Sequence, residues 1–78
     1  MSPAEYQARL DEVLRYLGAL LVSPAGSEEW RVGRAFATMP DLFRASYIQS
    51  LIESGGRARE IGGDLLAIIQ GYPEAVPA

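Results

Sequence analysis

The stretch PDLFRASYIQSLIE, residues 40–53, would be apolar around more than half of its circumference as a helix. Ser46, Gln49, Ser50 and Glu53 share one narrow strip, and the apolar residues cover more than half of the circumference: Leu42, Phe43, Ala45, Tyr47, Ile48, Leu51 and Ile52. A helix with so wide an apolar surface is one that other helices surround. Proline suits a first helical turn and disfavours helical geometry in the residue before it, so the helix begins near Pro40 or Asp41. The stretch therefore predicts the central helix of an all-α bundle.

A first helix is predicted from Pro3 to Val22. Ser2-Pro3-Ala4-Glu5 has the form of a capping box with proline at the first helical position. Apolar residues then recur at steps of three and four, which is the spacing of one helical face: Tyr6, Leu10, Val13, Leu14, Leu17, Leu20 and Leu21. The pattern predicts that this face packs into the core.

The second helix is predicted at residues 28–38, after a turn at residues 23–26. Ser27 is a favourable N-cap, and two acidic residues follow it at the positive end of the helix dipole. The predicted core stripe consists of Val32, Ala35, Phe36 and Met39. On the opposite strip lie Arg31, Arg34 and Thr38, with Trp30 at the far edge of the stripe.

A fourth helix follows the helix-ending glycines at 55–56, and its inner face is predicted to hold Ala58, Ile61, Leu65, Ile68, Ile69 and Tyr72. Each glycine of the pair Gly62-Gly63 costs a helix about 1 kcal/mol relative to alanine. Either the pair allows close helix contact or the helix starts only at Asp64, and the unbroken periodicity favours a continuous helix. The sequence thus predicts a compact bundle of three or four helices over residues 1–72, followed by a disordered tail at 73–78.

The composition is that of a small chain whose hydrophobic core alone gives little stability. It has 78 residues, 49% of them hydrophobic, and no cysteine. A chain this short buries only about 60% of the surface that its unfolded form exposes. Dense helix packing and self-association are the remaining sources of stability, so we expect a homodimer. No run of about 20 apolar residues predicts a membrane span, and the cysteine-free chain fits a cytoplasmic location.

The sequence contains few residues that could act as catalytic groups. Histidine and cysteine are absent, so the common triads and dyads cannot be built, and we expect a protein that is not an enzyme and holds no cofactor. Glu60 and Asp64 share a helix face and could form half of a metal site, but no further ligands are evident and Arg57 and Arg59 would oppose a cation. The glycine pairs lack the context of a phosphate-binding motif.

The basic residues point to two classes of binding protein. All seven are arginines, a usage typical of a GC-rich bacterium or its phage, and residues 30–59 form a mildly basic band between acidic ends. The second and third helices have the spacing of a helix-turn-helix, with Arg44, Ser46, Gln49 and Ser50 as candidate groove-facing residues. The net charge of −3 and the absence of lysine weaken this alternative, because DNA affinity rests on phosphate neutralisation.

Trp30, Arg31 and Arg34 form the candidate interface, since tryptophan and arginine are enriched among residues that dominate binding. In a second interpretation, Trp30 covers the edge of the core and both arginines are solvated. We expect a protein-binding module, an adaptor, inhibitor or regulatory subunit, that binds another protein or itself. A small helix-turn-helix transcriptional regulator is the alternative.

Overall fold

The computed structural model describes residues 1–70, which form an all-α bundle. Its helices are α1 (Pro3–Leu21), α2 (Glu28–Thr38), α3 (Asp41–Glu53) and α4 (Ala58–Gln70). The predicted fold class is confirmed, and the bounds of α2 are those predicted. The predicted inner-face residue Tyr72 and the predicted tail at 73–78 lie outside the described residues.

Side-chain caps begin the first two helices. The Ser2 hydroxyl accepts a hydrogen bond from the Glu5 amide at 3.2 Å, and the Ser27 hydroxyl accepts one from the Trp30 amide at the same distance. The turn between α1 and α2 passes through Gly26, whose φ of 87° is a left-handed conformation that glycine adopts without strain. This turn fixes where α2 starts and therefore where Trp30 lies.

The deepest part of the core comes from the C-terminal half of α3. Tyr47 and Leu51 are completely buried, and Ile52 is 2% exposed. The first turn of α3 differs from the prediction, because Leu42 is 74% exposed and Phe43 is 42% exposed. The apolar arc of this helix is thus covered only along its later turns, where α1 and α4 pack against it.

The buried face of α1 is narrower than the predicted one and is centred elsewhere. Val13, Tyr16 and Leu20 are buried, whereas the predicted core residues Leu14 and Leu21 are largely exposed, as is much of Tyr6. Successive helical residues are rotated by about 100°, so Leu14 points well away from Val13. The seven apolar positions span more of the circumference than the neighbouring helices cover.

α4 is continuous through both glycines, as the periodicity predicted. A β-carbon at Gly62 would overlap the ring and hydroxyl of Tyr16, so the missing side chain allows α1 and α4 to approach closely. The inner face of α4 contains Leu66 and Ala67, while Ile68, predicted to be internal, is 72% exposed. Ile61, Leu65 and Ile69 are partly buried against the core, in agreement with the prediction.

Candidate functional site

The candidate interface lies on the outer face of α2, where Trp30 and Arg34 are one helical turn apart. The Arg34 guanidinium carbon lies 4.8 Å from the centroid of the Trp30 ring. Trp30 is partly buried and Arg34 is exposed. A guanidinium over an indole face is attracted by the negative face of the ring, and this contact holds both side chains in a defined geometry. The structure therefore brings two of the three predicted residues together.

Arg31, the third predicted residue, is anchored separately. Its Nη2 donates a hydrogen bond of 3.3 Å to the carbonyl oxygen of Gly26 in the preceding turn. The residue stays exposed, so its charge remains on the same outer face of α2. Arg31 thus contributes a second cation near the Trp30–Arg34 contact without joining it.

The two cations on this face have no carboxylate partner within residues 1–70. The ion pairs of that part of the chain use Arg9, Arg15, Arg44 and Arg57. Arg31 and Arg34 take part in none of them. Exposed arginine beside a partly buried tryptophan is the composition of a protein-binding surface.

Arg44, the main candidate for contacting a DNA groove, is already engaged. Its Nη1 donates a hydrogen bond of 3.2 Å to the carbonyl oxygen of Ala37 near the end of α2. Its Nη2 forms an ion pair with Asp41 one turn earlier on α3. The side chain therefore ties α2 to α3 and would have to give up both contacts to reach a phosphate or a base.

A cavity of about 190 Å³ lies between α1, α2 and α4. Four carboxylates border it, Glu28 and Glu29 from α2 with Glu60 and Asp64 from α4, together with the Tyr16 side chain. All four of these acidic residues remain exposed. The sequence does not show that the two pairs meet, because the crossing of α2 and α4 cannot be read from either helix alone. Within residues 1–70, no three acidic residues form a group that could hold a metal ion.

Two tyrosines form the polar part of the core beside this cavity. The Tyr47 hydroxyl donates a hydrogen bond of 2.9 Å to the carbonyl oxygen of Gly62, and it is also hydrogen-bonded to the Tyr16 hydroxyl. Burial raises the pKa of Tyr16, and the hydrogen bond with Tyr47 partly offsets this. Burial, with the hydrogen bond to Tyr16, raises the pKa of Tyr47 far above its ordinary value. Both tyrosines therefore stay neutral in the folded protein at neutral pH. Their hydroxyl groups serve as hydrogen-bonding groups within the core.

Comparison with known proteins gives no relative from which a role could be transferred. No family model, no curated protein and no solved structure matches the chain. None of the helices within residues 1–70 combines the length and apolar character needed to cross a membrane. The candidate site is consequently defined by its geometry alone.

Proposed function

We propose that the protein is a non-enzymatic binding module whose docking surface is the outer face of α2. The observation that carries the proposal is the exposed Arg34 guanidinium, held 4.8 Å from the Trp30 ring centroid and without a carboxylate partner in the described residues. A cation that is already oriented loses little conformational freedom on binding, which favours affinity. The absence of histidine and cysteine from the sequence supports a role other than catalysis.

The chemistry of this face suits an acidic protein segment. Arg31 and Arg34 present guanidinium groups that can bind carboxylates in a bidentate manner, while Trp30 supplies apolar area beside Arg34. Association through such a face is expected to weaken as salt is added, because the exposed charges are screened. As an adaptor, inhibitor or regulatory subunit, the protein would bind this partner and also a second copy of itself.

Affinity capture with paired variants tests the proposal. The protein and its Arg34→Glu variant are used as bait in lysate, with and without nuclease treatment. Arg34→Glu should lower the melting temperature only slightly, since Arg34 is exposed and loses only its contact with the Trp30 ring, and it should abolish capture of the partner. Trp30→Ala should weaken binding of the captured partner by about 2 kcal/mol or more.

Arg15→Glu is the matched control, because Arg15 is also an exposed arginine but lies on α1. It should capture the same partner as the unmodified protein. Normal capture by both Arg34→Glu and Trp30→Ala would contradict the proposal, as would a Trp30→Ala variant that mainly unfolds. In the second case Trp30 would serve the core.

A small helix-turn-helix regulator remains the second candidate, supported by the direct succession of α2 and α3. The connection is Met39 and Pro40 alone, shorter than the three or four residues usual in that motif. Arg44 is also held by Ala37 and Asp41. The nuclease arm of the capture experiment separates the two candidates: a partner lost on nuclease treatment supports DNA binding, and one retained supports a protein partner.

A further inference from the structure

The side-chain carboxylates of residues 1–70 divide into two groups. Six of them form an ion pair or a hydrogen bond with an arginine or glutamine three or four residues away: Glu5, Asp11, Glu12, Asp41, Glu53 and Glu60. The other three, Glu28, Glu29 and Asp64, have no such partner, and all three border the cavity between α1, α2 and α4. The unpaired negative charge of this part of the chain is therefore collected in one place.

The arginines without a carboxylate partner complement the charge of this cavity. Among the residues that the structure describes, they are Arg31, Arg34 and Arg59. Arg59 itself borders the cavity, and Glu60 at the border is paired with Arg57, so the three unpaired carboxylates leave an excess of two negative charges. Arg31 and Arg34 together carry two positive charges. The outer face of α2 therefore has the charge that would neutralise the cavity.

The cavity and the Trp30–Arg34 contact lie on opposite sides of α2. Val32, which borders the cavity, and Arg34 are two residues apart, which is a rotation of about 200° around the helix. Arg34 therefore points away from the cavity of its own chain, and Arg31 is bound to the Gly26 carbonyl. Arg34 can reach such a cavity only in a second copy of the chain.

Asp64 carries a charge that its own helix does not use. Glu28 and Glu29 lie in the first turn of α2, where the helix dipole stabilises them. Asp64 lies in the middle of α4, away from either end of the dipole. Glu60 precedes it by four residues, a spacing at which like charges repel. A guanidinium placed between α2 and α4 would relieve this repulsion.

We infer that copies of this chain associate head to tail, with the outer face of α2 in one copy docked against the cavity carboxylates of the next. The inference rests on the docking surface of the proposed function and names a partner for it. A contact between two different surfaces leaves one of each free at the ends, so association continues beyond the homodimer expected from the composition, into a chain or a ring. An α2 face that is occupied in this way is not accessible to another acidic partner, so self-association competes with partner binding.

Analytical ultracentrifugation of the full chain over a concentration series tests the inference. The native chain should form species larger than a dimer, and added salt should dissociate them, because exposed charges are screened. Arg34→Glu should raise the dissociation constant about tenfold or more, and so should Glu28→Gln/Asp64→Asn, which removes two carboxylates of the cavity. The matched control Glu5→Gln/Glu53→Gln removes two exposed carboxylates elsewhere and changes the net charge equally. It should leave the association unchanged.

A mixture of the two weakened variants tests the head-to-tail arrangement. The Arg34→Glu protein keeps an intact cavity, and the Glu28→Gln/Asp64→Asn protein keeps an intact α2 face. Their equimolar mixture should therefore form a one-to-one pair that grows no further, although neither protein associates alone. A native chain that stays monomeric or stops at a dimer would overturn the inference, as would equal association of the cavity variant and the control.

The inference and the proposed function fail separately. Glu28→Gln/Asp64→Asn leaves the α2 face intact, so this variant should still capture an acidic partner from lysate. Capture that depends on Arg34, together with a native chain that stays monomeric, would support the proposed function and overturn the inference. Salt-sensitive association that needs both surfaces, with no other protein captured, would support the inference and contradict a separate acidic partner.

Discussion

The Tyr16 ring of α1 lies directly against the backbone of Gly62 in α4. A β-carbon built on Gly62 would overlap the tyrosine hydroxyl and would lie 2.7 Å from Cε2 of the ring. The adjacent Gly63 has ordinary space, with its nearest neighbours at 3.5 and 3.6 Å. Only one glycine of the pair is therefore required by packing.

The two glycines should respond to alanine with opposite signs. Gly62→Ala should destabilise the protein by about 1–3 kcal/mol or more, because the methyl group collides with the buried Tyr16 ring. Gly63→Ala should stabilise it by up to about 1 kcal/mol, since alanine is the better helix former and has room. Urea unfolding of both variants measures the difference. Equal changes would mean that α1 and α4 are not in close contact.

Leu51 and Leu42 belong to the same helix and differ completely in exposure, 0% against 74%. Leu51→Ala should lower the free energy of unfolding by about 2–5 kcal/mol, a large part of the stability of a small domain. Leu42→Ala should change it by less than about 0.5 kcal/mol. Thermal or urea melts compare the two, and a costly Leu42→Ala would show that the first turn of α3 is covered in solution.

Stability should fall at alkaline pH because of the buried tyrosines. The pKa values of Tyr16 and Tyr47 are raised in the folded state, whereas in the unfolded chain tyrosine ionises near its ordinary value of about 10. Below that pH both states keep their protons and these groups add no pH dependence. Above it the unfolded state loses protons first, so the free energy of unfolding falls by at most about 1.4 kcal/mol per pH unit for each tyrosine, until the pH reaches the raised pKa of that tyrosine.

Urea melts at several pH values between about 8 and 11 measure this slope. Tyr47→Phe is the control, because it removes one of the two ionisable groups and should leave a shallower slope. It also removes the hydrogen bond to the Gly62 carbonyl, so its stability at neutral pH should be lower. A slope identical to that of the unmodified protein would show that Tyr47 does not stay neutral.

The contact between Trp30 and Arg34 should be measurable as a coupling energy. A double-mutant cycle of Trp30→Ala and Arg34→Ala, followed by urea unfolding, should give about 0.5–1 kcal/mol, the strength of an exposed cation–π contact. The same cycle with Arg31→Ala in place of Arg34→Ala should give a coupling near zero, because Arg31 is bound to the Gly26 carbonyl. Equal couplings would remove the basis for an oriented Arg34.

Local signals in the sequence predicted the helices well. Ser27 with the acidic residues after it placed the start of α2, and Pro40 placed the start of α3, because caps and proline act on backbone groups within one turn. The four-residue spacing of Trp30 and Arg34 put them on one face, where the structure pairs them. The part of the candidate site that lies within a single helix, α2, could therefore be predicted from the sequence.

Relations between helices could not be predicted in the same way. The apolar positions of α1 are too numerous to show which side faces the core, so Tyr16 was missed and Leu14 was placed inside. The meeting of Glu28 with Asp64 at the cavity depends on how α2 and α4 cross. Such crossings follow from the packing of all four helices together, and no pattern within one helix contains them.

The close approach of α1 and α4 also bears on the order in which the chain assembles. Helices form from local contacts, but the Tyr16 ring can seat against Gly62 only after the segment between them has been closed into a loop. We therefore expect this contact to be absent from the folding transition state. Gly62→Ala should then speed unfolding and leave the folding rate nearly unchanged, so the fit between the first and last helices sets how long the folded state persists.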